Sequence, residues 1–509
     1  MTRAGCPRLP LSDYPGFNRF VLDWLGGDER FLPRRRPPAA HPTRPTPALV
    51  DAIIESNRRW GSFVGPEVRR WAAGDTITLI AGQQVGFAGG PLYTLAKIAT
   101  LLKMRKEIEA GGKQATVFFW LATEDHDFNE VATLSLPAAM AKQGSQLDLV
   151  HVRATRAVES HAAVGRLEIP EPLIAELLAV LGQDRPSWLR PGITFGDSFA
   201  ELLTTVLGEQ KVIFIDALLP ELRAEGAPLF ARVRERWDEV QRALTTRSGE
   251  LAAAGYEPQV VPPRPGEKYG EEYTLFFTLD DAGNRIAYDR HHPPTAERTS
   301  TSAITRPLLQ DFVLQPDVFV GGPAEVAYYA QIAPLHQLLG VRLPRVAVRG
   351  HALVAPKRIV RVFERFGIEP REVFAGADAL LAEREPEEVA TVRRLAEEGR
   401  RELAEKIGRI GEIALPAEHA LARAINRSIG HIEYHFDKLA ERAIRGIARK
   451  DRERYAAAKE LVAALYPDRH VQDRVVGWFA YWCEFRDHLV ERLVDCIEPD
   501  SDHFRIISL

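Results

Sequence analysis

The chain has 509 residues, 45% of them hydrophobic and 27% charged, with a formal net charge of −4. That is the composition of a globular protein with ample core for one large domain or about three average ones. It excludes the global basic field expected of a nucleic-acid binder or a protein held on an anionic membrane. Three cysteines at unrelated spacings (Cys6, Cys483, Cys496) make neither a disulfide framework nor a cysteine zinc site. There is no apolar signal region near the start and no apolar stretch of spanning length, so the expected location is the cytoplasm.

The first 75 residues read as helical fragments interrupted by the proline-rich PRRRPPAAHPTRP (Pro33 to Pro45). Four apolar runs follow: TITLIA from Thr76, ATVFFWLA from Ala115, KVIFID from Lys211 and DVFVGG from Asp317. Continuous rather than alternating hydrophobicity predicts strands buried on both faces of a parallel sheet. Helical patterns lie between them, such as YTLAKIATLLKMRKEIEA from Tyr93, so the predicted class is α/β and doubly wound, with insertions in the longer gaps. From Ala382 to Lys450 the chain turns rich in Ala, Glu, Arg and Leu. Apolar or small positions step by three or four from Val389 to Ile413 and again from Ile425 to Ala443, with a turn at Ala414 to Ala420. This predicts an antiparallel coiled-coil hairpin whose uncovered stripe calls for a second subunit. VVGWFAYWCEF, from Val475, is too apolar for a free tail and is expected to pack back on the core. The expected segments are 1–75 (N-terminal helical), 76–375 (catalytic core), 376–465 (hairpin) and 466–509 (C-terminal return).

Chemistry is expected where strands run into helices, at the carboxyl edge of the sheet. GQQVGFAGGPLYTLAK, from Gly82, places a Gly-Gly-Pro turn before a helix whose free amides favour an anion. Tyr93 and Lys97 share one face of that helix. In DVFVGGPAEVAYYAQ, from Asp317, the arrangement recurs, with Glu325 and Tyr329 on one face. Glu325 there also suits the helix dipole without any chemistry. Neither turn has a dinucleotide or P-loop pattern. TEDHDFNE, from Thr123, sets Glu124, Asp125, His126 and Asp127 in a row just past a strand. Such a loop supplies a general base, a clamp for an amine, or metal ligands; metal is the weaker choice, because adjacent residues cannot all face one ion.

These three motifs, together with LPLSDYPG near the start and HFRIISL at the end, resemble the bacillithiol biosynthesis cysteine-adding enzyme family, BshC, over nearly the whole chain. The resemblance implies a nucleotidylyltransferase-like Rossmann core with a coiled-coil hairpin used for homodimerisation. It implies a ligase that joins cysteine to glucosaminyl malate in the last step of bacillithiol synthesis. Making the cysteine carboxylate electrophilic calls for a nucleotide, ATP or ADP, as the simplest route, and no metal is assigned. Carried onto this chain, the resemblance implies Asp125, His126 and Asp127 as catalytic residues. It implies Gln83, Gln84, Gly90, Tyr93, Lys97, Arg306, Gln310, Glu325, Tyr329, Gln331 and Arg349 as substrate-binding. Two rival readings stand beside it: a nucleotidyl- or glycosyl-transferase using the same crevice, and a non-catalytic dimeric scaffold.

Overall fold

The computed structural model describes residues 7–34, 44–137, 149–153, 161–182, 184–262, 272–377, 380, 387–414, 421–447 and 452–509. Cys6, most of the proline-rich segment and the expected hairpin turn lie outside them. The chain divides into two compact units, one comprising Met1–Val354 with His470–Leu509, the other Ala355–Arg469.

The first unit is built on a five-stranded sheet. Its strands are β1 (Ile77–Gln83), β2 (Ala115–Leu121), β3 (Val212–Asp216), β4 (Val318–Gly321) and β5 (Arg345–Val348), in the order β5-β4-β1-β2-β3. Every neighbouring pair is parallel. This is the Rossmann order, and it reverses between β1 and β4, where the ends of two strands part and leave a crevice.

The apolar runs are explained by the two faces. Leu79, Ala81, Phe119, Phe214 and Val320 point into one buried cluster, while Ile80, Phe118, Trp120, Ile213, Phe319 and Val348 point into the other. Side chains alternate along a strand, so only a sequence apolar at every position fills both layers. Each buried Leu, Ile, Val or Phe among them contributes about 1.5–3 kcal/mol. On the first face lie α1 (Leu92–Ala110) and α2 (Phe195–Leu207); on the second lie α3 (Pro220–Glu235), α4 (Thr305–Leu314) and α5 (Pro323–Leu339). The four apolar runs form β1 to β4. The fifth strand is a four-residue run, RVAV, that pattern reading does not separate from the stretch after it.

The aromatic segment near the end returns to this unit. Trp478 Nε1 donates to the Gly89 carbonyl at 2.8 Å, and the Leu92 amide donates to the Val476 carbonyl at 2.8 Å. The first Gly-Gly-Pro turn therefore docks the C-terminal segment. An amide expected to face a ligand is capped by chain instead, and Gly90 sits beneath that contact rather than in the crevice. Cys483 is a free, half-buried thiol, whereas Cys496 takes part in a disulfide, which the cysteine spacings do not suggest.

In the second unit, α6 (Glu387–Ala414) and α7 (Leu421–Ile447) form the expected antiparallel pair. Gly399 admits the Phe436 ring, and Arg400 pairs with Asp437 at 2.5 Å across the seam.

A Cβ on Gly89 would lie 2.3 Å from the Trp478 ring, at a φ of +89°. Gly89→Ala is expected to cost about 2–4 kcal/mol through overpacking and backbone strain, read from urea unfolding. A change under about 0.5 kcal/mol would show that this dock is loose.

Candidate active site

At the reversal point lies a cleft of about 320 Å³. Its lining comes from the carboxyl ends of four strands: Gln83 at the end of β1 and Gln84 after it, Ala122 and Asp125 after β2, Gly322 and Glu325 after β4, and Arg349 after β5. Tyr93 and Lys97 of α1, Arg306 of α4, Glu130 and Arg474 complete it.

Lys97 is the centre of the wall. Its ammonium donates to the Gly82 carbonyl at 2.8 Å and Gln83 Oε1 at 2.9 Å, and pairs with Glu325 Oε2 at 2.5 Å. The residue is 3% exposed, and burial lowers its pKa against the opposing pull of Glu325. Three donors are matched by three acceptors. Lys97 therefore has none left for a ligand, and it ties α1, β1 and the first turn of α5 together. The same Glu325 oxygen accepts the Gly322 amide at 2.8 Å. Gln83 also donates to the Tyr93 hydroxyl at 3.3 Å. Burial pushes the Tyr93 phenol up to about 12, so it stays protonated.

Arg349 is fixed by a buried ion pair to Asp473 at 2.8 Å, and its guanidinium lies 5.7 Å from the centre of the Tyr93 ring. Arg306 and Arg474 differ from it: among the described residues, neither side chain has a hydrogen bond or an ion pair. Two further carboxylates line the same cleft. Asp125 accepts from Gln84 Nε2 at 2.7 Å. Burial would raise its pKa, but the Gln84 bond and the nearby Arg285 outweigh it and hold the group ionised. Glu130 is exposed at the rim as a residue, yet the protein around its carboxyl raises its pKa. A raised glutamate beside an ionised aspartate is how environment separates an acid–base group from a charge clamp.

The remaining expected residues lie elsewhere. His126 faces an adjoining cavity, where Arg285 Nη1 lies 3.1 Å from its Nδ1. A guanidinium can only donate, so Nδ1 accepts and the ring proton resides on Nε2. Burial and then Arg285 lower its pKa, so His126 is a neutral donor, poorly suited to take a proton. Asp127 is exposed and caps the short helix Phe128–Val131 by accepting from Asn129 at 3.1 Å. Gln310 and Tyr329 are buried in a core network with Asp311, away from the cleft. Gln331 is also buried, with its amide bonded to both backbone groups of Val260.

Glu130 stands inside the TEDHDFNE run, and position along the loop is its only sequence signal. Arg474 has none. Lys97 has one: Leu95, Ala96, Ile98 and Ala99 flank it on the half of the helix, Thr94 to Leu102, that is buried at every position.

Lys97→Met leaves the Glu325 carboxylate without its cation and is expected to cost about 3 kcal/mol. Lys97→Met combined with Glu325→Gln should recover part of that loss. Denaturant unfolding of the full double-mutant cycle checks this; additive losses would show that the pair is not coupled.

Comparison with known proteins accords with this architecture. The chain matches the family model for the N-terminal Rossmann-like domain of bacillithiol biosynthesis BshC over residues 33–292 and 288–350. It matches the C-terminal coiled-coil domain of the same family over 352–509. A protein of Solibacter usitatus named "Putative cysteine ligase BshC" is 30% identical, covering 90% of this chain and 89% of its own. One of the same name from Koribacter versatilis is 28% identical over 98% and 99%. Another from Salinibacter ruber is 25% identical over 96% and 94%. Sheet order, hairpin and matched length agree, and the chain belongs to the bacillithiol biosynthesis BshC family.

Proposed function

We propose that this protein is a cytoplasmic cysteine ligase that joins L-cysteine to the amine of glucosaminyl malate, the last step of bacillithiol synthesis. The observation that carries the reading is the charge pattern of the cleft. Two unpaired guanidinium groups, Arg306 and Arg474, and the carboxylates of Asp125 and Glu130 line one small space. A substrate that bears both carboxylates and an amine matches each sign. The names of the relatives support the same chemistry.

Amide formation needs an electrophilic carbonyl and a neutral amine. A nucleotide such as ATP would supply the activation, so that the carboxylate oxygen leaves with a phosphate group when the amine attacks, and unpaired guanidinium groups suit phosphate as well as carboxylate. The residues of this chain do the rest. Arg474 at the mouth draws in the malate carboxylates, and Arg306 orients the carboxylate that is to react. Glu130 takes the proton of the attacking amine, and Asp125 keeps a fixed negative charge beside it. Lys97, Glu325 and Asp473 act by holding the wall.

Homodimerisation through the hairpin belongs to this reading. Leu395, Ile410, Ile413 and Leu439 are 56%, 60%, 80% and 64% exposed on the helix pair, more apolar surface than water favours. Ile410→Glu with Leu439→Glu should convert a dimer to a monomer in sedimentation; an unchanged mass would reject this interface.

The activity test mixes purified protein with cysteine, glucosaminyl malate and ATP, and follows the new thiol by mass spectrometry. Glu130→Gln is expected to lower turnover about 100-fold or more. A base must be deprotonated, so wild-type turnover should fall as pH drops through the Glu130 pKa, which burial raises from the ordinary glutamate value. That limb should vanish in the variant. Full turnover in Glu130→Gln would remove Glu130 from the chemistry; a product lacking cysteine would overturn the ligase reading.

A further inference from the structure

Behind Asp125 lies a second cavity of about 310 Å³. It shares Ala122, Asp125 and Arg306 with the cleft, so the two are compartments meeting at one wall. Their chemistry differs. The cleft carries Lys97, Glu130, Glu325, Arg349 and Arg474. The second compartment is walled by Val260, Phe277 and Ile304, with His126 on its rim.

The other charges on this wall are matched internally. Glu124 accepts from Ser300 Oγ at 2.8 Å and from the Thr301 amide at 3.1 Å, and pairs with Arg223 at 3.2 Å. Arg285 donates to Ser300 Oγ at 2.9 Å and to the Thr301 carbonyl at 2.8 Å, besides its contact with His126. What remains for a ligand is the Arg306 guanidinium, an apolar wall, and the lone pairs that Asp125 keeps beyond its bonds from Gln84 and the His126 amide, at 2.7 Å each, and its pairing with Arg285 at 3.8 Å. Gln331 gives that wall a fixed position, because its amide accepts from the Val260 N–H at 3.0 Å and donates to the Val260 carbonyl at 2.6 Å. An anion at one end, a cation beside it and a small apolar body describe an amino acid with a short side chain.

We propose that this second cavity is the amino-acid site, with the side chain against Val260, Phe277 and Ile304, the carboxylate toward Arg306 and the ammonium toward Asp125. The assignment rests on the ligase reading above. A thiol gains from contact with an aromatic edge, which Phe277 offers. The shared wall then presents the amino-acid carboxylate to the cleft, where the acceptor amine lies. Two substrates enter by different compartments and meet at Arg306 and Asp125.

The test uses full-length protein and isothermal titration with L-cysteine and, separately, with glucosaminyl malate. Val260→Trp and Thr274→Phe each fill the cavity from a half-buried position on its wall. Thermal melts confirm folding, and having two variants guards against the collapse of one. Both are expected to weaken cysteine binding about tenfold or more and to leave glucosaminyl malate binding within about twofold. Unchanged cysteine binding in a folded variant, or a loss confined to glucosaminyl malate, overturns the assignment while the ligase reading stands. A wild-type protein that binds neither compound and forms no thiol product overturns both.

Discussion

The three-way grip of Lys97 is the constraint on which the site depends. A parallel sheet whose order reverses must leave a gap between two strand ends, and nothing in the backbone pairing closes it. Here a lysine reaches across from α1, binds the end of β1 and meets a carboxylate in the first turn of α5. Burying an ammonium is costly, and this arrangement offsets the cost only because each N–H has an acceptor and the charge has a partner. With the two sides pinned, Gln83 and Tyr93 take up fixed positions. The ligand-facing charge is then carried by other residues, Arg306 and Arg474, that no internal carboxylate neutralises.

Much of the fold is legible in the sequence. Strands apolar at every position can only be buried on both faces, and the helices between them demand parallel pairing, so β1 to β4 are readable from hydropathy alone. The stepping of small and apolar residues from Val389 onward marks the hairpin. The fifth strand is harder: four residues between Pro344 and the buried Arg349 fall below the length at which a period can be counted. Strand order follows from packing between distant segments, which a linear pattern does not encode.

The site is legible in its neighbourhood and less so in its roles. Motif position brings Gln83, Gln84, Tyr93, Asp125, Glu325 and Arg349 to one cleft. What a side chain does there depends on its partners. Lys97 has the sequence context of an anion receptor and is a strut. His126 has that of a base, and the guanidinium on its Nδ1 makes it a donor. Gln310 and Tyr329 share a motif with Glu325 but lie on the inward side of their helices, where a core network takes their polar atoms. Arg474 and Asp473 are nearly four hundred residues from Tyr93, and only the folded chain sets them beside it.

That distance bears on how the protein is made. The first Gly-Gly-Pro turn is closed by Val476 and Trp478, and Arg349 is held by Asp473, all from the last forty residues of the chain. During synthesis the sheet strands emerge first, and the cleft lacks Asp473 and Arg474 until more than a hundred further residues have followed β5. Non-local closure of this kind is slow and leaves apolar surface waiting for its cover. A chain cut before His470 would therefore hold the strands of the sheet without Asp473 and Arg474, and so a cleft without its clamp.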